Sequence, residues 1–169
     1  MTLIARVEKL MRRVYIYEPK RYTDTGSGVH KLYYHNVALA AFIKEKALLL
    51  LKEILLLSRS CQREFLRAFF DDEGCMDFRP QRNLRRVRGY QKNREILFLV
   101  QKLLHNLGIE ATVQGKNEVV IRGRENLLRF QEEINFSAGV RINGKRSNSI
   151  WKKSLEKREL LRRAIDSFA

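Results

Sequence analysis

From Ser60 onward the hydrophobic pattern switches between a period of 3.6 and a period of two, and this alternation limits the available folds severely. Residues 60–74 read as a helix with Ser60 as its N-cap. Residues 76–91 read as paired strands bent near Pro80-Gln81-Arg82-Asn83. Over 93–107 the apolar stripe is Ile96, Leu99, Val100, Leu103, Leu104 and Leu107, and Gly108 is placed to end that helix. A second hairpin, 110–114 with 118–122, turns at Gly115-Lys116-Asn117. The helix over 125–135 points Leu127, Phe130 and Ile134 inward. A Gly-, Asn- and Ser-rich stretch over 137–149 leads to a basic terminal helix with Leu161, Ala164, Ile165 and Phe168 on one face. Helix, hairpin, helix, hairpin, helix, helix is an α+β order with an antiparallel sheet.

The first third is different. Val14-Tyr15-Ile16-Tyr17 and His30-Lys31-Leu32-Tyr33-Tyr34 have strand composition around the turn-rich Thr25-Gly26-Ser27-Gly28, and a long helix over 36–57 follows. This hairpin plus helix reads as a truncated copy of the back half of the later pattern. The expected division is 1–57 and 58–169. Lys44-Glu45-Lys46 and Lys52-Glu53 interrupt the apolar run over 37–57, which marks a buried amphipathic helix and not a membrane span. Arg6, Glu8 and Lys9 break the N-terminal apolar stretch, so no signal peptide is expected there, and the expected location is cytoplasmic.

Charge narrows the partner. Lys and Arg number 34 against 19 Asp and Glu, a net +15, which points to a polyanion and above all to nucleic acid. Cys61 and Cys75 have no metal-ligand spacing, and His30, His35 and His105 are scattered, so neither a zinc nor a histidine site is indicated. No small-molecule cofactor and no membrane partner is expected.

The segment from Phe65 to Gly74 breaks a local rule. Asp71, Asp72 and Glu73 crowd the last turn of a helix, where unsatisfied carbonyls and the negative dipole end favour cations. Two readings are open: ion pairs with nearby arginines, or a bound hard cation such as Mg²⁺ or Ca²⁺, which takes carboxylate and carbonyl oxygens. Phe65, Ala68, Phe69 and Asp72 share one helix face, and Ala68 is small enough to admit a second helix.

Leu66 to Gly74, Leu-Arg-Ala-Phe-Phe-Asp-Asp-Glu-Gly, resembles the LAGLIDADG motif of homing endonucleases position by position. Ala68 stands at the first glycine, Asp71 at the first acid, Glu73 at the terminal acid and Gly74 at the closing glycine. Gln91-Lys92-Asn93-Arg94, between the first hairpin and the next helix, and the element order extend the resemblance over about 60–157. It implies an αββαββα unit with an antiparallel DNA-binding sheet, preceded here by an N-terminal β-hairpin and helix. It implies an intron-encoded endonuclease on double-stranded DNA, and one motif per chain implies a homodimer with Phe65, Ala68, Phe69 and Asp72 at the interface. Glu73 is the implied metal-binding carboxylate and Asp72 a second ligand through its carbonyl. Gln91, Lys92 and Lys145 join Glu73 as implied catalytic residues. The implied metal is Mg²⁺, with Mn²⁺ as a substitute and Ca²⁺ bound without cleavage. Asp72 departs from the family's small residue at the helix crossing, which implies a wider crossing or a metal-binding role. The rival is a splicing maturase or transcription regulator that keeps the fold without cutting.

Strand alternation places Phe78 and Val87 on one face and Arg79, Gln81, Arg86 and Arg88 on the other. In the second hairpin Val113, Val119 and Ile121 face the helices, while Thr112, Gln114, Lys116 and Arg122 extend the outer face. An arginine-rich sheet suits the major groove, where Arg addresses guanine and Gln adenine. Lys152, Lys153, Lys157, Arg158, Arg162 and Arg163 are expected to contact phosphates without reading bases.

Overall fold

The computed structural model describes residues 3–26, 29–142, 144 and 150–168, and the chain divides into Met1–Lys52 and Glu53–Ala169. The division falls a few residues ahead of the expected boundary. A single 3₁₀ turn, Ile54–Leu56, puts the fully buried Ile54 into the core of the second unit.

In the second unit the leading helix, α3 in chain order, spans Arg59–Glu73. Its cap is Ser58 and not Ser60. Ser58 has extended backbone, so its Oγ accepts the Cys61 N–H at 3.4 Å, while the Ser60 hydroxyl bonds the Ser58 hydroxyl at 2.9 Å. The Gln62 amide nitrogen donates to the carbonyls of Leu55 and Leu57, securing the entry to the helix. α3 passes directly into strand β3 (Gly74–Arg79), and a side chain at Gly74 would collide with the Phe70 backbone. A 3₁₀ turn at Pro80–Arg82 and a left-handed Asn83 reverse the chain into β4 (Leu84–Tyr90). Then follow α4 (Arg94–Asn106), β5 (Ala111–Gln114), β6 (Glu118–Arg122), α5 (Arg124–Glu133) and α6 (Lys157–Asp166).

The four strands form an antiparallel sheet in the order β3-β4-β6-β5. Met76, Phe78, Val87, Val119 and Ile121 lie on its apolar side with Leu66, Phe70, Leu97, Val100, Leu103, Leu104, Leu127, Phe130, Leu160 and Leu161 from the helices. Leu97, outside the predicted α4 stripe, is fully buried, whereas Ile96 and Leu99 sit at its edge. Phe70 and Phe130 meet edge to face at 5.0 Å, and Arg63 and Arg67 tie α3 to Glu133 and to the Ile134 carbonyl at the end of α5. Gly89 lets the Phe69 ring approach β4; any Cβ there would run into it.

In the first unit the expected strand at Val14-Tyr15 is helical. Helix α1 spans Leu3–Tyr15, because Ile4, Val7, Met11 and Val14 continue a helical stripe and Arg12 and Arg13 favour its C-terminal end. Strands β1 (Lys20–Thr23) and β2 (His30–Tyr33) pair antiparallel, and α2 runs Val37–Glu53. The unit is therefore helix, hairpin, helix, with one more helix than expected. α2 was expected to be buried, yet it has no buried residue. Among the described residues of this unit only Glu8 is buried, held by Arg21 at 2.9 Å. No described helix is long and apolar enough to cross a membrane.

Candidate functional site

The three acids at the end of α3 separate by environment. Asp71 is buried, and its Oδ1 accepts the Ser137 N–H at 2.9 Å, which fixes the chain beyond α5. Asp72 and Glu73 are exposed. Among the described residues the positive partner of this helix end is Lys157, at the start of α6. Its Nζ donates to the Asp71 carbonyl at 2.7 Å and the Phe70 carbonyl at 3.3 Å. Lys157 is only 7% exposed, with its ammonium 5.5 Å from the Phe136 ring centroid. It was expected on the DNA flank, and the structure corrects this: a cation on the terminal carbonyls offsets the helix dipole, and Leu160, Leu161 and Ala164 bury the same turn. Burial pushes the Lys157 ammonium below the usual lysine range, against the opposing pull of Cys75, Asp71, Asp72 and Glu73. The signal available in the sequence was its place just before the Leu160-Leu161 stripe.

Register brings the other implied residues to the same end of the sheet. Gly74 pairs with Gly89, so Gln91 and Lys92 leave β4 just past the point where α3 enters β3. The Gln91 N–H donates to the Asn117 carbonyl at 2.9 Å, and its side-chain oxygen accepts the Asn93 N–H at 3.2 Å, which orients the amide. Lys92 is exposed. Lys145 lies outside the described residues. Asp72 and Glu73 are oxygen donors suited to a hard cation, but among the described residues no three His, Cys, Asp or Glu side chains gather into a metal-binding group.

The outer side of the sheet is assembled in cross-strand rows. Asp77, Arg86 and Arg122 form one row; Cys75, Arg88, Val120 and Thr112 form the next; Tyr90, Glu118 and Gln114 form the third. Arg79 continues this face on β3. The Arg122 Nη2 donates to Gln114 at 3.1 Å, and the Gln114 amide nitrogen lies 3.1 Å from the Thr112 hydroxyl. Gln81 and Lys116, expected on the same face, sit in the two turns, exposed beyond the strand ends. Arg85 points the other way and holds the Ser167 carbonyl at the end of α6 at 2.8 Å. On α6 itself Arg162 and Arg163 pair with Glu159, and Arg158 pairs with Glu156.

On α3, Ala68 and Asp72 are exposed, while Phe65 and Phe69 are half-buried against the unit's own core. Cys61, one further step along, is exposed too, so a strip of small side chains runs up one face of the helix.

Residues 60–135 match the family model of the LAGLIDADG-like domain. Mesophilic variants of the homing endonuclease I-DmoI align at 20% identity and a TM-score of 0.60, over 80% of this chain and 69% of theirs. I-DmoI in complex with DNA and Mn aligns at 22% identity and a TM-score of 0.58, over 78% and 72%. I-DmoI in complex with DNA and Ca gives 22% and 0.59, over 80% and 69%. At such identities the likeness is one of fold. No curated protein matches the chain.

Proposed function

We propose that this chain is a site-specific endonuclease on double-stranded DNA, hydrolysing phosphodiesters with a divalent cation as a homodimer on a long, near-palindromic site. The observation carrying this reading is the Gly74–Gly89 register, which puts the exposed Asp72 and Glu73 at the edge of an arginine-lined sheet face. The similar I-DmoI structures hold DNA with Mn or with Ca, which supports a divalent cation here. Mg²⁺ is the proposed ion, with Mn²⁺ as a substitute and Ca²⁺ binding without cleavage. When bound, such an ion activates water and neutralises charge on the leaving oxygen.

The chain's own residues supply the rest. Glu73 and Asp72 hold the ion, and Lys157 fixes the helix end that presents them. Gln91, oriented by the Asn93 N–H, orders solvent near the scissile phosphate, and Lys92 meets the phosphate charge. Arg79, Arg86, Arg88, Thr112, Gln114 and Arg122 face the bases, with Gln81 and Lys116 extending the contact from the turns. With one motif per chain and the small, exposed Ala68 on the helix face, a second copy brings its α3 against the Cys61, Phe65, Ala68, Phe69 and Asp72 face. Each copy then cuts one strand, and each carries Met1–Lys52 as a truncated half-unit.

Selection of cleaved sites from a random duplex library in Mg²⁺ tests this. A near-palindromic winner is expected, cut by the parent and cut orders of magnitude more slowly by Glu73→Gln at unchanged or higher affinity without metal. Binding without cleavage by the parent would leave a maturase-like or regulatory role. Ala68→Trp is expected to weaken dimerisation in light scattering, and a parent monomeric both free and on DNA would rule out the dimer.

A further inference from the structure

The β3–β4 hairpin carries one acid among its outward arginines, and that acid is only 7% exposed. Asp77 accepts the Arg79 Nε at 3.1 Å on Oδ1, and the Arg86 Nε and Nη2 at 3.1 and 3.0 Å on Oδ2. The Arg88 Nε lies 3.6 Å from the same Oδ2, while its Nη1 reaches Glu118 at 2.9 Å. Three guanidiniums from two strands thus converge on one carboxylate. On a surface meant for a polyanion an acid weakens attraction, so it needs a reason to be there.

Geometry supplies the reason. Charge-assisted hydrogen bonds fix arginine rotamers that would otherwise be frozen only on binding, at an entropic cost. The bonds to Asp77 use the Nε of Arg79 and the Nε–Nη2 edge of Arg86. Among the described residues the terminal nitrogens of Arg79 hold no acceptor, and these form the fork that pairs with guanine O6 and N7. Building on the duplex-reading role above, we propose that Asp77 is a specificity-determining positioning residue. It sets Arg79 and Arg86 in base-reading geometry before DNA arrives, beside an Arg88 held by Glu118, and its charge restrains sequence-independent attraction to phosphates. A merely structural acid would relieve repulsion among the arginines and leave base preference alone.

The full chain, a duplex selected from a random library and a scrambled duplex of equal length form the assay, run without metal over a salt series. Asp77→Asn is expected to lower the ratio of selected to scrambled affinity by about tenfold, consistent with two side chains losing their pre-ordering. It should also broaden base preference, raise scrambled-duplex affinity and steepen its salt dependence. Asp77→Ser serves as a second variant, and melting of both is recorded. A folded variant with the parent's base preference and ratio overturns the proposal, as does an equal loss on both duplexes. Unfolding of both variants would assign Asp77 to stability and overturn it as well. If the parent selects no duplex sequence at all, the endonuclease reading itself falls, and this inference with it.

Discussion

The segment α1-β1-β2-α2 and the segment α4-β5-β6-α5 have the same element order, and Leu3 to Lys20 spans the same number of residues as Arg94 to Ala111. Their interiors differ completely. In α4 Leu97, Val100, Leu103 and Leu104 are fully buried; in α1 Val7, Leu10 and Val14 are 40 to 57% exposed. The later segment is layered against α3, β3 and β4, and β6 finds a neighbour in β4. The earlier one has a two-stranded ribbon and no such helix-and-hairpin layer within its own unit. A helix–hairpin–helix fragment forms its elements from local pattern, but a hydrophobic core needs a second layer to exclude water.

Amide exchange is where this contrast should be largest. α4 amides are expected to exchange through global unfolding and α1 and α2 amides through local opening, about a thousandfold faster or more. Equal protection of the two segments would break the comparison. Side-chain truncation should follow. Leu103→Ala is expected to cost about 2–5 kcal/mol in denaturant unfolding, from lost transfer energy and a residual cavity. Leu10→Ala, at a position 41% exposed, should stay within about 0.5 kcal/mol.

A smaller effect is expected at Lys157, a polar group taken into the second unit's interior. Lys157→Met should cost about 1–3 kcal/mol, because buried carbonyls of Phe70 and Asp71 lose a charged donor. Its pH dependence has a defined sign. Burial lowers the folded-state value below that of an ordinary lysine, so the unfolded chain binds more protons between the two. The parent's stability should therefore rise with pH across that window, and the Lys157→Met variant should lack the rise. A slope of the opposite sign in urea titrations would show that attraction to the neighbouring acids outweighs burial. The weakest effect belongs to the half-buried Glu159, drawn down to about 2 by hydrogen bonds from Arg162 and Arg163. Its small contribution is expected to be complete above about 4.5 and to fade as pH falls toward 2, a slope that Glu159→Gln should remove.

The sequence by itself determined what depends on near neighbours. Helical and strand periods placed α3 through α6 and both hairpins of the second unit, and the run ending at Gly74 marked the acid-bearing helix end. Alternation sorted Arg79, Arg86, Arg88, Thr112, Gln114 and Arg122 onto one face, because strand side chains alternate regardless of what lies beyond. Local composition also misled: Val14-Tyr15 has strand-forming residues, but a stripe beginning at Ile4 carries them into α1, and Ser58 takes the capping role that Ser60 shares by composition. Only the tertiary structure decided which polar groups are buried and what faces them. Lys157 reaches carbonyls more than eighty residues away, and Asp77 gathers arginines from across a strand pair, while the long apolar α2 has no fully buried residue. A side chain's solvent and charge partners are set by elements distant in sequence, and burial therefore has no local signature strong enough to read.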